Sequence, residues 1–215
     1  MTPVLKDETP VLYAAASSGY AYKVALLLRL LGLGYEVRWV DLSLPRAARP
    51  AGFRAVARFD EVPVLLIDGQ AICQSNVICE YLSRRQSAFN EGDESQRLAV
   101  REWLAWEAER IGLDLAHCCA AHQFGHCPET VAAWYRGRAD EDFARLAEVL
   151  SRRAFLVGEV PTIADVACHA WIAQAQAIGL FAEIPASVAA WCARLAALPG
   201  YALPAQVFAG AIPEE

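Results

Sequence analysis

The chain has 215 residues, 56% of them hydrophobic, which is enough apolar material for one large core or two modest ones. Against 25 Asp+Glu stand 19 Lys+Arg, a net charge of −6 that leaves no basic face for a phosphate backbone and excludes nucleic acid as the expected partner. Seven cysteines at irregular spacing form no CxxC pair, and the start of the chain carries Lys6, Asp7 and Glu8 rather than a basic and apolar leader, so reduced thiols and a cytoplasmic protein without a membrane partner are expected.

Residues 11–13 are a short β-prone run that ends in the small, turn-prone residues 14–19. From Tyr20 the apolar positions Val24, Leu27, Leu28 and Leu31 follow helical spacing, with Gly32 and Gly34 as stop signals. Residues 35–42 then alternate as a half-buried strand would, completing a β-α-β unit whose crossover is right-handed if the strands are parallel. Residues 45–58, with Pro50 and Gly52, read as irregular or shortly helical. Two apolar runs flanking Asp68-Gly69 predict a hairpin over residues 62–73, and residues 75–85 carry Val77, Ile78, Tyr81 and Leu82 as a helix that Ser75 could cap. After a polar break at 87–93 no convincing strand appears, and helical patterns run over about 94–122, 130–150, 163–178 and 186–198. The expectation is therefore an α+β first domain over 1–87 and an all-helical bundle over 94–215.

Three segments offer chemistry. Ser17 and Ser18 stand where a loop enters a helix, so either one caps the helix or its hydroxyl joins the uncovered N–H groups in holding an anion. Pro63 after Val62 sits at the mouth of a predicted strand, where proline suggests a special backbone geometry such as a cis bond. Gln74 and Ser75 stand at a strand-to-helix junction and offer an amide, a hydroxyl and a helix end to a carboxylate, unless they only cap.

In order and spacing, Leu12-Tyr13, Ser18-Gly19 with Tyr22-Lys23-Val24, Glu61-Val62-Pro63-Val64-Leu65 and Gln74-Ser75-Asn76 with Ile78 and Tyr81-Leu82 together resemble the glutathione transferase superfamily. In the second half, Phe155-Leu156-Val157-Gly158 followed by Pro161-Thr162-Ile163-Ala164-Asp165 resembles the family's helix-starting segment, with Thr162 as N-cap and Asp165 as its partner. The resemblance implies a thioredoxin-like domain (βαβ-ββα) followed by the helical bundle. It also implies a homodimer that binds glutathione as cosubstrate, needs no metal and transfers the thiol to a small electrophile. Val62 would lend its backbone to the cysteinyl part of glutathione beside a cis Pro63, Gln74 and Ser75 would hold the γ-glutamyl end, and Ser18 matches the activating hydroxyl of serine-type members.

The energetics suit those roles. A free thiol ionises near pKa 8.5, and lowering that by about two units takes roughly 2.7 kcal/mol. One hydroxyl donor to an anion, about 1.5–3 kcal/mol, and a helix end, about 0.3–1, supply it.

Two positions depart from the pattern. Tyr20 replaces the Asn of several serine-type relatives and is a second candidate to face the sulfur, and Glu61 stands where many members carry Lys or Gln. Arg54 or Arg58 could restore the positive charge. His117, Cys118, Cys119, His122, His126 and Cys127 crowd one stretch, read either as a helix end with buried thiols or as zinc-ligand geometry; no metal is the expectation. Trp103, Leu104, Trp106 and Ile111 read as a core-facing stripe, Arg101, Glu102, Glu107 and Arg110 as lying toward a partner subunit, and His117 and Tyr135 as lining the second-substrate pocket. Glutathione-dependent peroxidase or disulfide reductase activity, or a catalytically weak binding scaffold, are the alternatives to transfer.

Overall fold

Leu12 and Ala14 of strand β1 (Val11–Ala14) point into one core and Tyr13 into another, because successive side chains of a strand leave on opposite faces. β1 is parallel to β2 (Glu36–Trp39) and antiparallel to β3 (Val64–Ile67), which pairs in turn with β4 (Gln70–Cys73). The computed structural model describes residues 9–90, 92–125, 127–208 and 212–213. Helix α1 (Gly19–Leu30) connects β1 to β2, and α3 (Ser75–Gln86) follows β4 and packs on α1. On the opposite sheet face the six-residue α2 (Ala51–Val56), preceded by a single 3₁₀ turn, buries Phe53 against Tyr13 with ring centroids 5.6 Å apart. The β3–β4 turn has positive φ at both Asp68 (53°) and Gly69 (72°), the left-handed pair a tight two-residue hairpin requires. Asp68 also receives Tyr81 and Arg85 of α3, which ties the hairpin to the helix.

The helical half comprises α4 (Glu94–Glu109), α5 (Ile111–Phe124), α6 (Glu129–Leu150), α7 (Ile163–Ala177), α8 (Ala186–Ala196) and the short α9 (Pro204–Val207). Helix α7 is its axis: every residue from Ile163 to Ala175 is buried, and it packs against α1, α4 and α5. Thr162 caps it with Asp165 in a reciprocal capping box, as the sequence pattern predicts. Because α1 and α7 touch directly, residues of both halves share one continuous core.

Two expectations need correction. The helix predicted over 94–122 is two helices, broken at Arg110 (φ −122°, ψ −109°), whose guanidinium is drawn to Asp142 at 2.8 Å and Glu141 at 3.1 Å on α6. The apolar repeat continues across the break, so periodicity alone does not register it. A strand also appears in the second half: β5 (Ile212–Pro213) pairs in parallel with Arg38–Trp39 of β2, extending the sheet to the order β4-β3-β1-β2-β5 among the described residues. Two residues are too few to carry an alternating pattern, and the pairing is tertiary.

Beside the break, buried Asp114 and Asp142 lie close together between Arg138 and Arg110. Burial first, and the neighbouring Asp114 after it, push the Asp142 carboxyl up to about 7 against the pull of Arg110. The folded state therefore keeps a proton that the unfolded chain releases near pH 4, so stability from this group is present below that pH and falls as pH rises through about 7. Asp142→Asn is expected to flatten this dependence. Urea midpoints of both proteins at pH 5 and pH 8 check it, and parallel pH slopes would refute it.

Candidate functional site

The loop between β1 and α1 is held from both sides. Ser18 is the N-cap of α1: its backbone is extended and its Oγ accepts the Ala21 N–H at 3.1 Å. A hydroxyl that accepts with a lone pair keeps its own proton, and among the described residues Ser18 donates it to no partner. The cap reading and the donor reading of Ser18 are thus compatible. From the helical half, Gln174 Nε2 donates to Ala16 O at 3.1 Å. The Trp171 ring lies so close over Gly19 that an added Cβ would stand 2.4 Å from it, so only glycine lets α7 approach here. Tyr20 meets the same ring edge-on at 5.0 Å. Burial, then Glu107, Glu61 and Asp114, raise its phenol above the ordinary range, which keeps it neutral in a locally negative field.

Val62–Pro63 is a cis peptide bond. It lies just beyond the end of the β1–β3 ladder, whose last pair is Tyr13 with Val64. Across from it, Gln74 takes φ 70° as the N-cap residue of α3 but caps nothing with its side chain; its Nε2 donates instead to Glu61 Oε2 at 3.3 Å. Ser75, expected as a possible cap, is the first helical residue, and its Oγ accepts from Lys23 Nζ at 3.2 Å.

Behind Ser75 lies a polar cluster. Lys23 Nζ also donates to Asn76 Oδ1 at 2.7 Å and to Glu107 Oε2 at 2.8 Å, and Asn76 Nδ2 donates to the same Glu107 oxygen at 3.0 Å. Both partners of this ion pair are fully buried. Glu107, expected to lie toward a partner subunit, instead lies inside the chain and joins α4 to α1 and α3. The pattern carried one signal of this: Lys23 stands four residues before Leu27 and so shares the apolar face of α1, where a charge demands a partner.

Two adjoining clefts gather these groups. The inner one, about 250 Å³, is lined by Tyr20, Glu61, Val62, Pro63, Gln74 and Ser75, with Cys73, Asn76 and Glu107 among its walls. The outer one, about 400 Å³, has Ser17, Ser18, Tyr20, Arg46, Arg49 and Val62 on the sheet side, and Ala116, Cys119, Ala120, Gln123, Phe124 and Trp171 on the helical side. All seven candidate residues therefore meet around one space, with Tyr20, Glu61 and Val62 common to both parts.

Other expectations are redirected. Arg46 and Arg49, not Arg54 or Arg58, face the cleft: Arg54 turns back to Arg49 O at 3.0 Å, and Arg58 lies over the Phe59 ring. Arg46 pairs with Asp60 at 3.7 Å, and Arg49 donates to the backbone carbonyls of Leu42, Leu44 and Asp60. His117 and Tyr135 stack on each other, centroids 4.0 Å apart, outside both clefts. Leu104 and Ile111 are buried as expected, with Trp103 and Trp106 half-buried and packed edge-to-face. Burial pushes the thiols of Cys118 and Cys119 up to about 11 and about 12. His126 lies outside the described residues, and among those described no His, Cys, Asp and Glu group is placed to hold a metal.

Residues 17–85 match the family model for the glutathione S-transferase N-terminal domain, and residues 111–199 match that for the C-terminal domain. The chain is 28% identical over 162 residues to the disulfide-bond oxidoreductase YfcG of Escherichia coli strain K12, covering 70% of this chain and 74% of that protein. It is 28% identical over 207 residues to a probable maleylacetoacetate isomerase of Vibrio cholerae, covering 89% and 93%. The crystal structure of a glutathione S-transferase from Pseudomonas fluorescens shares its fold with a TM-score of 0.81 at 27% identity, over 92% of this chain and 99% of that one.

Proposed function

This chain belongs to the glutathione S-transferase family, and we propose that it holds glutathione between Pro63 and Ser75 and activates the thiol at Ser18 for transfer to a small electrophile. The observation that carries this reading is Ser18 itself, a capping hydroxyl with an uncommitted proton, 8% exposed, facing the shared cleft at the positive end of α1. Ser18 would donate to the sulfur and the helix end would favour the anion, with no general base needed. Val62 would offer backbone to the cysteinyl unit, and Gln74 and Ser75 would take the γ-glutamyl end. The second substrate would lie against Ala116, Ala120, Phe124 and Trp171, an apolar wall that works by proximity.

The field around Tyr20 favours Ser18 over it. The nearby Glu107 and Glu61 oppose negative charge at the phenol position, and its hydroxyl makes no hydrogen bond among the described residues. Tyr20→Phe is therefore expected to change kcat/KM by no more than about twofold, the scale of a substitution that removes no bonded group. A tenfold loss in steady-state assays would move the activating role to Tyr20.

A thiolate held at Ser18 is equally able to attack a disulfide or a hydroperoxide, and similarity to a protein named as a disulfide-bond oxidoreductase gives that second reading its weight. Retention on immobilised glutathione, followed by turnover of a generic aromatic electrophile, an organic hydroperoxide and a mixed disulfide, separates the reactions. Retention without turnover of any would leave a binding scaffold, and no retention would defeat all three readings. Localisation in the cytoplasm is part of the proposal; among the described residues no helix is long and apolar enough to cross a membrane.

We also propose a two-fold homodimer through the outer faces of α3 and α4, where Val77 and Leu98 are 54% and 59% exposed. Sedimentation is expected to give twice the 23.5 kDa chain mass, and a monomer at micromolar concentration would refute it.

A further inference from the structure

We propose that Lys23, backed by Glu107, is a positioning residue that turns the Ser75 proton outward to a carboxylate in the inner cleft, an inference that rests on the glutathione site proposed above.

Hydrogen-bond parity around the ammonium decides where the Ser75 proton goes. A lysine ammonium has three N–H donors and no acceptor. All three of Lys23's are committed, to Ser75 Oγ, Asn76 Oδ1 and Glu107 Oε2 at 3.2, 2.7 and 2.8 Å. Asn76 cannot present its amide nitrogen to Lys23 instead, because that nitrogen donates to Leu104 O and Glu107 Oε2, both at 3.0 Å. Ser75 Oγ must therefore accept from Lys23, and its own proton must point elsewhere. Ser75 is 8% exposed, it lines the inner cleft, and it donates to no partner among the described residues. One of the hydroxyl's two lone pairs is taken by the ammonium, so the proton is kept off the Lys23 side and is free for an acceptor in the cleft.

The surroundings add to the same preference. Gln74 leaves the first turn of the twelve-residue α3 without a side-chain cap, so backbone N–H groups stand open beside the hydroxyl. Glu107 balances Lys23, so the buried pair adds no net charge behind Ser75, and with the Glu61 carboxylate also on the cleft wall an anion is held here by oriented donors rather than by bare attraction. A planar acceptor with two oxygens answers that arrangement: one oxygen for the Ser75 hydroxyl and one for the helix end. That ligand group is a carboxylate, in the present reading the one on the γ-glutamyl residue.

The test needs a ligand that differs only in that group. Replacing the γ-glutamyl residue of glutathione by 4-aminobutyryl removes the carboxylate and keeps the amine, the thiol and the glycine end. Binding of both peptides is measured calorimetrically to the wild type, to Lys23→Met/Glu107→Gln, which removes both buried charges together, and to each of these with Ser75→Ala added. The expected result is about a tenfold loss of glutathione affinity in the pair variant, the scale of one charge-assisted bond, no change for the analogue, and no effect of the pair variant once Ser75 is alanine. Equal weakening of both peptides would make Lys23 a packing residue and overturn the proposal, as would no weakening of either. If the pair variant does not fold, Lys23→Gln replaces it, since its amide can accept from Ser75 as well as donate, and the same selective loss is expected. Failure of the wild type to bind glutathione at all would instead remove the site on which the proposal rests.

Discussion

Glu107→Ala is expected to cost the folded state about 3–5 kcal/mol, the range seen when one partner of a buried ion pair is removed. The loss comes less from the missing attraction than from what is left behind. Lys23 is fully buried, and without Glu107 its ammonium keeps only Ser75 Oγ and the Asn76 carbonyl, while the Asn76 amide keeps only Leu104 O. The Lys23→Met/Glu107→Gln pair is expected to recover most of that loss, because it strands no charge and Gln can still accept from Asn76. Urea unfolding of the two variants and the wild type measures both differences. A cost below about 1 kcal/mol for Glu107→Ala would mean that the pair is not what joins α4 to the first domain.

The second large effect is expected at Ser18, where alanine removes two functions at once. As N-cap of α1 the residue is worth about 0.5–2 kcal/mol of stability. As the proposed donor to the sulfur it would be worth about 1.5–3 kcal/mol of anion stabilisation, which is about a 10- to 100-fold loss of kcat/KM. The two separate in Ser18→Gly, because glycine at an N-cap costs only a few tenths of a kcal/mol while lacking the hydroxyl entirely. Ser18→Gly should therefore be nearly as stable as the wild type and as slow as Ser18→Ala. The pH profile of kcat/KM should shift upward in both variants by about one to two units, reporting the less acidic thiol. An unmoved profile would remove Ser18 from the reaction even if the rate fell.

Local chemistry in the sequence reached much of this architecture. Asp68-Gly69 announces its hairpin because the two-residue turn needs left-handed backbone at both positions. Thr162 and Asp165 announce the start of α7 because each satisfies the other's backbone N–H. The cis bond at Pro63 and the cap at Ser18 were readable for the same reason: a single residue type at a defined junction has few conformations to choose from.

What escaped is tertiary. The ion pair of Lys23 with Glu107 joins residues 84 positions apart, and no window over the sequence contains both. At the break the Arg110 side chain meets carboxylates on α6, and β5 meets an edge of β2, partners that lie far away in the sequence. The choice of Arg46 and Arg49 over Arg54 and Arg58 depends on how one 3₁₀ turn and a six-residue helix are oriented, which composition does not record. The strand-to-helix junction marks Ser75 as a site candidate but not its orientation, since its neighbour in space comes from α1.

The contact of Trp171 with Gly19, and the bond from Gln174 to the Ala16 carbonyl, make α7 a mould against which the loop carrying Ser18 is cast. Under the proposed function, substrate range would be rewritten on α5, whose residues line the outer cleft, while α7 would have to travel with its own thioredoxin-like half. A chimera that grafts a foreign helical domain onto this sheet would inherit the hydroxyl and lose the surface that shapes its loop.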